Sequence, residues 1–377
     1  LKSIVAVTRA EGYDYPALRS SIYGLISTLG GWGRYVSPGE RVLIKPNLLS
    51  ARPPERGVTT HPSVVRAVAE SLLDFGATVA VGDSPGGADK GVERVFRNTG
   101  MLEVAEKLGI GWVNFESSGT RVIPGDNGIT LYITKAIERF DHIVSISKLK
   151  THSLMLYTGA VKNLFGLAPG FRKTAYHKLY PLPTEFGKML LAIYKHASVT
   201  LHFMDAIVGM EGNGPSSGDL RDVGLLLASA DGIALDRVAS HIIGIEEGRV
   251  ITTRLADKKG LGNGKLENIT VIGGELHDFV LDKPFKLPAR LPERIIPSWL
   301  VKKLARFIWI RPAPLEEKCT RCGVCAKHCP VDAITMRGEK LPYYDYDKCI
   351  TCLCCNELCP ENAIAFEKSW LAKRLGR

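Results

Sequence analysis

Cys319, Cys322, Cys325 and Cys329, with Pro330 behind them, stand at C-x2-C-x2-C-x3-C-P spacing, and Cys349, Cys352, Cys355 and Cys359 with Pro360 repeat it. Thiolates at this spacing are ligands for cubane iron–sulfur clusters. A short C-x2-C-x2-C loop wraps three iron corners and leaves the fourth to a distant residue. In two-cluster proteins the last cysteine of each run serves the other cluster. That predicts one [4Fe-4S] cluster on Cys319, Cys322, Cys325 and Cys359, and a second on Cys349, Cys352, Cys355 and Cys329. Two zinc sites would use the same kind of thiolate set, but two intact runs favour iron. Cys354, the ninth cysteine, falls outside the pattern. It reads as a small hydrophobe beside the loop, with an alternate ligand or a redox-active thiol as the other readings.

A second set of chemically capable residues lies upstream. Short apolar, β-branched runs at 4–7, 41–44, 78–81, 142–146, 199–203, 223–227 and 269–272 read as strands. In open α/β sheets ligands bind beyond the carboxyl ends of the strands. There the chain carries Lys45 and Asn47, then a glycine-rich turn with Asp83 and Ser84 that suits a ligand or a helix cap equally. Next come Lys148, Lys150, His152, Lys162 and Asn163, whose crowding within 16 residues suggests an anion site beside a helix start. The run at 199–203 delivers Asp205 and then a loop reaching Pro215, where Glu211 would be a second carboxylate within reach. Asp231 reads as a helix cap. The candidate catalytic residues are therefore Lys45, Asn47, Lys148, Lys150, His152, Lys162, Asn163 and Asp205. Ammonium and carboxylate groups meeting in one crevice can bind an anion and move protons during reduction. His61 is a further candidate acid. No G-x-G-x-x-G or Walker pattern is present; a flavin is left open, with no motif indicating it.

These residues need a scaffold, and the pattern between them supplies one. Strand runs alternate with helical stripes, such as 62–75, where Val64, Val65, Val68, Leu72 and Leu73 share a face, Pro62 opens the first turn and Gly76 follows the last. The fold class expected is α/β, a mainly parallel sheet layered with helices, plus a small C-terminal α+β two-cluster domain. The divisions expected are an α/β domain over 1–281, a Pro-rich basic linker over 282–318, a cluster domain over 319–366 and a basic tail over 367–377. Residues 168–195, with three prolines, read as an irregular insertion or lid. The linker holds an amphipathic helix at 298–310, whose Trp299, Leu304 and Trp309 face Lys302, Lys303 and Arg306 in composition. It would dock the cluster domain or touch a membrane surface peripherally.

With 377 residues, 45% hydrophobic and 23% charged, the chain can bury two or three cores. The balance of 49 basic to 39 acidic residues, a formal +10, favours anionic partners. Nothing in the pattern favours nucleic acid. The nine cysteines all fall between 319 and 359, which excludes a disulfide framework and points to a reducing, cytoplasmic setting. No signal peptide and no apolar run long enough to span a membrane is expected.

Several stretches together resemble a known family: Lys45-Pro46-Asn47, Lys148-Leu149-Lys150-Thr151-His152, Thr158-Gly159-Ala160-Val161-Lys162-Asn163, the 205–215 segment and Ala230-Asp231-Gly232. Over roughly residues 1–275 the chain is similar to the family of domain of unknown function 362, often fused to a bacterial-type two-[4Fe-4S] ferredoxin domain. That resemblance implies the fusion and says little about chemistry. The expected function is electron transfer through two clusters to an anionic substrate or cofactor in the large domain. The alternative is a non-catalytic electron carrier or maturation factor serving a redox partner protein. Substrate, potentials and oligomeric state are not encoded in any motif.

Overall fold

The computed structural model describes residues 2–86, 91–125, 128–170, 172–288 and 309–375. The apolar runs form β1 (Ser3–Arg9), β2 (Arg41–Pro46), β3 (Thr78–Asp83) and β4 (Gly111–Asn114), then a separate hairpin of β5 (Thr120–Pro124) and β6 (Thr130–Thr134). They continue as β7 (His142–His152), β8 (Leu156–Thr158), β9 (Leu201–Glu211), β10 (Asp219–Ser229) and β11 (Ile269–Ile272). All but the hairpin join one sheet of order β11-β1-β10-β9-β7-β2-β3-β4, with β8 on β7. The block β9-β7-β2-β3-β4 is parallel, and β10 is antiparallel to both β9 and β1. Expectation and structure agree on an α/β fold with a mainly parallel sheet.

Each face of the sheet is covered. On one lie α1 (Tyr15–Thr28) and α2 (Pro62–Phe75), whose buried Ile22, Val64 and Val68 meet Val42, Ile44 and Val144 of the strands. His61 caps α2 by accepting a hydrogen bond from the Ser63 amide, and Gly76 closes it in the left-handed conformation that a residue without Cβ adopts freely. Two more helices, α3 (Val92–Asn98) and α4 (Met101–Leu108), pack at the edge. On the other face lie α5 (Ala160–Asn163), α6 (Arg172–Leu179), α7 (Pro183–Ala197), α8 (Gly232–Ile242) and α9 (Ile251–Lys258).

Two expectations are corrected. Residues 168–195 are not irregular: they contain α6 and most of α7, and Phe186, Met189, Leu190 and Ile193 of α7 are completely buried. The prolines open and separate these helices rather than break them, Pro183 standing in the first turn of α7. The segment after Asp205 is not a loop until Glu211, because β9 stays paired with β10 as far as Asp219 opposite Glu211. Glu211 is held by Arg221 at 3.1 Å and Lys286 at 3.3 Å, away from Asp205. The linker helix expected at 298–310 lies outside the described residues, apart from its last two positions. Among the described residues no helix is long and apolar enough to cross a membrane.

The cysteine-rich module sits against the carboxyl ends of the sheet strands. Its strand Ile310–Pro314 pairs antiparallel with Ile364–Lys368, and its short helices are Val324–Lys327 and Cys354–Leu358. Arg52, buried at the junction, donates to the Ser216 carbonyl (2.8 Å), to Asn362 Oδ1 (2.7 Å) and to the Cys359 carbonyl. Ser217 donates to Asn362 and Ser216 to the Asn356 carbonyl. Replacing Arg52 by Ala strands these acceptors at a cost of about 2–3 kcal/mol. The expected outcome is a lower unfolding midpoint in thermal denaturation; an unchanged midpoint would show that Arg52 does not hold the junction.

Candidate functional site at the domain junction

Lys45, the next-to-last residue of β2, lies on the face opposite Val42 and Ile44, so its side chain runs under α5 rather than into solvent. There its ammonium meets Asp83 at the end of β3 (2.8 Å), the Pro46 carbonyl (2.9 Å) and Asn163 Oδ1 (3.3 Å). Asp83 also accepts the Leu48 and Ser84 amides, so it ties two strand ends together rather than capping a helix. Gly166 packs so closely over this pair that a Cβ there would stand 2.6 Å from Lys45 Nζ. Lys148 on β7 is likewise held by Asp205 of β9 at 2.9 Å and by the Tyr13 hydroxyl at 2.7 Å. Asp205 is completely buried and also accepts the His61 amide. It lies behind Lys148 as its counter-ion. Burial pulls both lysines down from their ordinary pKa while the carboxylates push back.

Among the described residues Lys150, Lys162 and Lys173 have no bonded carboxylate partner. Lys150 of β7 is buried and donates to Asn47 Oδ1 (2.8 Å) and the Val58 carbonyl (2.6 Å). Burial, then Lys162 and Lys148 nearby, lower its pKa to about 7. Lys162 of α5 lies over the rings of Phe165 and Phe186 at 5.3 and 5.9 Å, and burial lowers its pKa too. Lys173 of α6 donates to Ser84 Oγ (2.6 Å), and burial brings its pKa to about 8. His177 of α6, stacked on Phe186, is kept neutral by burial and by Lys162, its pKa lowered to about 3.

These groups line one cavity of about 290 Å³ at the carboxyl ends of β2, β3 and β7. Leu48, Leu49, Phe165 and Pro215 give it an apolar wall. The module closes the opposite side with Lys327, His328, Cys354, Glu357 and Leu358. His152 lies at this seam, completely buried. The Leu154 and Met155 amides donate to its Nδ1, so its proton sits on Nε2, 3.1 Å from Glu357 Oε1 across the junction. Burial raises the Glu357 pKa, while Lys162 and Lys150 oppose that rise.

None of the module's nine cysteines is in a disulfide. Cys319, Cys322, Cys325 and Cys359 line one hollow; Cys329, Cys349, Cys352 and Cys355 line another, beside Cys354. Among the described residues no three Cys, His or carboxylate side chains converge on a single ion-sized point. Each set instead surrounds a space, and the backbone repeats around it. Left-handed residues recur thirty positions apart, at Arg321 and Thr351, Gly323 and Leu353, Asp332 and Asn362. The Ala333 amide donates to Cys329 Sγ and the Ala363 amide to Cys359 Sγ, each at 3.2 Å. Hydrogen bonds to ligand sulfur and paired four-thiol sets are what cubane clusters require, so the residues present fit the group.

Comparison with known proteins agrees with this geometry. The family described as "Domain of unknown function (DUF362)" matches residues 42–241, and the "4Fe-4S dicluster domain" matches residues 318–363. The chain is also 36% identical to the Thylakoid-associated protein sll1697 of Synechocystis over 286 residues, covering 75% of this chain and 87% of that protein. The chain belongs to the DUF362 family. It is a fusion of a DUF362 domain with a ferredoxin-type 4Fe-4S dicluster domain. Among solved structures, the lactate racemase apoprotein of Thermoanaerobacterium thermosaccharolyticum shares 13% identity at a TM-score of 0.41, over 65% of this chain and 58% of that one. A Thermotoga maritima protein shares 12% at 0.35, over 54% and 52%. The chain thus spans a little over half the length of either structure.

In this DUF362 protein Lys45, Asn47, Lys148, Lys150, Lys162 and Asn163 line the cavity together. His152 stands at the seam, Asp205 behind the wall, and His61 is the cap of α2 stacked on Tyr13 at 3.7 Å. Asp231 caps α8. Sequence reasoning missed Lys173 and His177, which it left in the irregular segment, and Glu357, which occupies an unconstrained position between two cysteines. It also missed Asp236, a buried carboxylate that accepts the Ala160 and Val161 amides and so fixes the start of α5. Burial raises its pKa to about 7. The lysines should separate in thermal and denaturant unfolding. Asp205→Ala leaves the Lys148 ammonium buried without its counter-ion and should cost about 3–5 kcal/mol. Lys150→Met removes a buried ammonium that has no carboxylate and should cost less than about 1 kcal/mol or stabilise. Equal losses would make Lys150 structural.

Proposed function

We propose that this protein is an iron–sulfur oxidoreductase whose ferredoxin-type module exchanges electrons with an anionic organic substrate or cofactor bound in the junction cavity. The observation that carries the reading is the composition of that cavity. Among the described residues Lys150, Lys162 and Lys173 face it without a bonded carboxylate, Glu116 and Glu357 being the lining carboxylates not already paired with a lysine, and the module itself supplies the opposite wall. An ammonium buried without a counter-ion is costly unless a ligand supplies the negative charge. In this reading two [4Fe-4S] clusters, on Cys319, Cys322, Cys325 and Cys359 and on Cys349, Cys352, Cys355 and Cys329, supply one-electron transfer when bound. Lys150, Lys162 and Lys173 hold the anion, the Lys45–Asp83 and Lys148–Asp205 pairs fix the strand ends beneath it, and Phe165 and Leu358 exclude water. Lys150, with a pKa near 7, can give up a proton to a substrate that has gained electrons.

A second reading, a non-catalytic carrier or maturation factor, is favoured by the exposed Cys322, which opens one cysteine loop to a partner protein. Anaerobic reoxidation of the reduced protein by fractions of an acidic-metabolite pool separates the two. Reoxidation by a fraction, abolished in Lys150→Met and Lys162→Met at unchanged iron and sulfide content, supports the enzyme; stable reduction throughout supports the carrier. Cysteines held as cluster ligands favour a reducing compartment, and the Synechocystis relative's name records association with thylakoids. A cytoplasm-facing membrane surface satisfies both and is the location we propose.

Charge at Lys150 gives a pH signature. It is charged below about 7 and neutral above, with Lys148, Lys162 and Arg52 pushing its proton off and Glu357 holding it on. An anion binds the charged form, so pyrophosphate affinity measured by calorimetry should be highest below pH 7. It should fall by up to about tenfold per pH unit above that, with Lys173 extending the fall past 8. Proton uptake should accompany binding above pH 7, and Lys150→Met should flatten the profile between 6 and 8. A profile unchanged in Lys150→Met would remove Lys150 from the anion site.

A further inference from the structure

The two thiol hollows are not equivalent toward the cavity. Cys354 lines both the cavity and the hollow of Cys329, Cys349, Cys352 and Cys355. The hollow of Cys319, Cys322, Cys325 and Cys359 shares no lining residue with the cavity. Cys354 is buried and adjoins Cys355 in the chain. Lys162 and Glu357 line the same cavity as Cys354. One residue is therefore shared by the wall of the lysine-lined cavity and the wall of a cluster-ligand hollow. At the far hollow, Cys322 is exposed to the outside.

We infer that the site of Cys329, Cys349, Cys352 and Cys355 is the one that exchanges electrons with the cavity, across a partition made by Cys354 and Lys162, and that the site of Cys319, Cys322, Cys325 and Cys359 faces an external donor. The inference rests on the cavity being the acceptor site. Tunnelling falls off exponentially with distance, so a gap one residue thick outcompetes a longer route. One electron crosses per event: the inner site loses it, an anionic organic acceptor in the cavity gains it, and a one-electron donor protein at the outer site replaces it. Cys354 is a positioning residue here. Its thiol at the wall of the hollow and the Lys162 ammonium in the cavity both stabilise the reduced, more negative state of the inner site.

The test is a redox titration of the intact, cluster-loaded chain followed by electron paramagnetic resonance. Cys349→Ser and Cys322→Ser mark which signal belongs to which site. Cys354→Ala and Lys162→Met should each lower the midpoint of the Cys349-marked signal at least twice as far as the other, with iron and sulfide content at the wild-type level. Lys162→Arg, which keeps the charge, should restore most of the shift. Equal movement of both midpoints, or a larger movement of the Cys322-marked one, overturns the inference. In the unmutated protein, saturating pyrophosphate should lower the Cys349-marked midpoint selectively, which decides the matter even where a variant loads poorly; selective lowering of the Cys322-marked midpoint overturns the inference. A Cys349-marked midpoint that responds to Lys162→Met while pyrophosphate neither binds nor shifts it upholds the electron route and removes the anion-cavity reading alone.

Discussion

Burying an ammonium group is among the costliest things a fold can do, and this protein does it repeatedly at one sheet edge. Lys45, Lys148 and Lys150 have almost no exposure, and each needs a surrounding that replaces water. Lys45 and Lys148 receive that replacement from Asp83 and Asp205 on neighbouring parallel strands, so the register of β2 against β3 and of β7 against β9 is bound up with the charge pairing. A one-residue slip in either ladder would send the carboxylate to the wrong face and leave the ammonium stranded. The sheet, the two ion pairs and the shape of the cavity thus form one structural decision.

Lys150, Lys162 and Lys173 break the pattern. They are drawn into the same desolvated space, yet their bonded neighbours are an amide, a carbonyl, aromatic rings and a hydroxyl. The excess of positive charge is therefore local. It faces a module whose backbone repeats at thirty-residue intervals and presents two thiol sets, one close to the cavity and one turned outward. Arg52 fastens this arrangement by reaching from the large domain to the Cys359 carbonyl, which couples the geometry of a cysteine loop to that of the lysine-lined edge.

Much of this was legible in residue order. The two cysteine runs identify themselves because ligand spacing is local: three thiols must reach one cluster from a single short loop, and the loop length is written in the sequence. Apolar runs alternating with helical stripes likewise announce a layered α/β fold, because burial on both faces of a parallel sheet demands them. Lys45, Asn47, Lys148, Lys150, Lys162 and Asn163 could be named because strand ends are where such sheets bind ligands. The same rule does not distinguish a carboxylate that faces the cavity from one, such as Asp205, that holds a lysine from behind. Prolines misled the reading of 168–195, where they start and separate helices whose tertiary packing outweighs local signals.

The sequence by itself determined the chemistry available: the cluster-type thiols, the lysine-rich strand ends and the scaffold class, all of which depend on periodicity and short spacings. Tertiary structure decided which lysines are neutralised and which are not, that Glu357 and Cys354 belong to the cavity as much as to the module, and that one thiol set lies nearer the cavity than the other. Those outcomes depend on contacts between residues one to three hundred positions apart, such as Arg52 with Cys359 and His152 with Glu357. No local pattern records such contacts, because desolvation and charge pairing are properties of the folded surroundings and not of the residue.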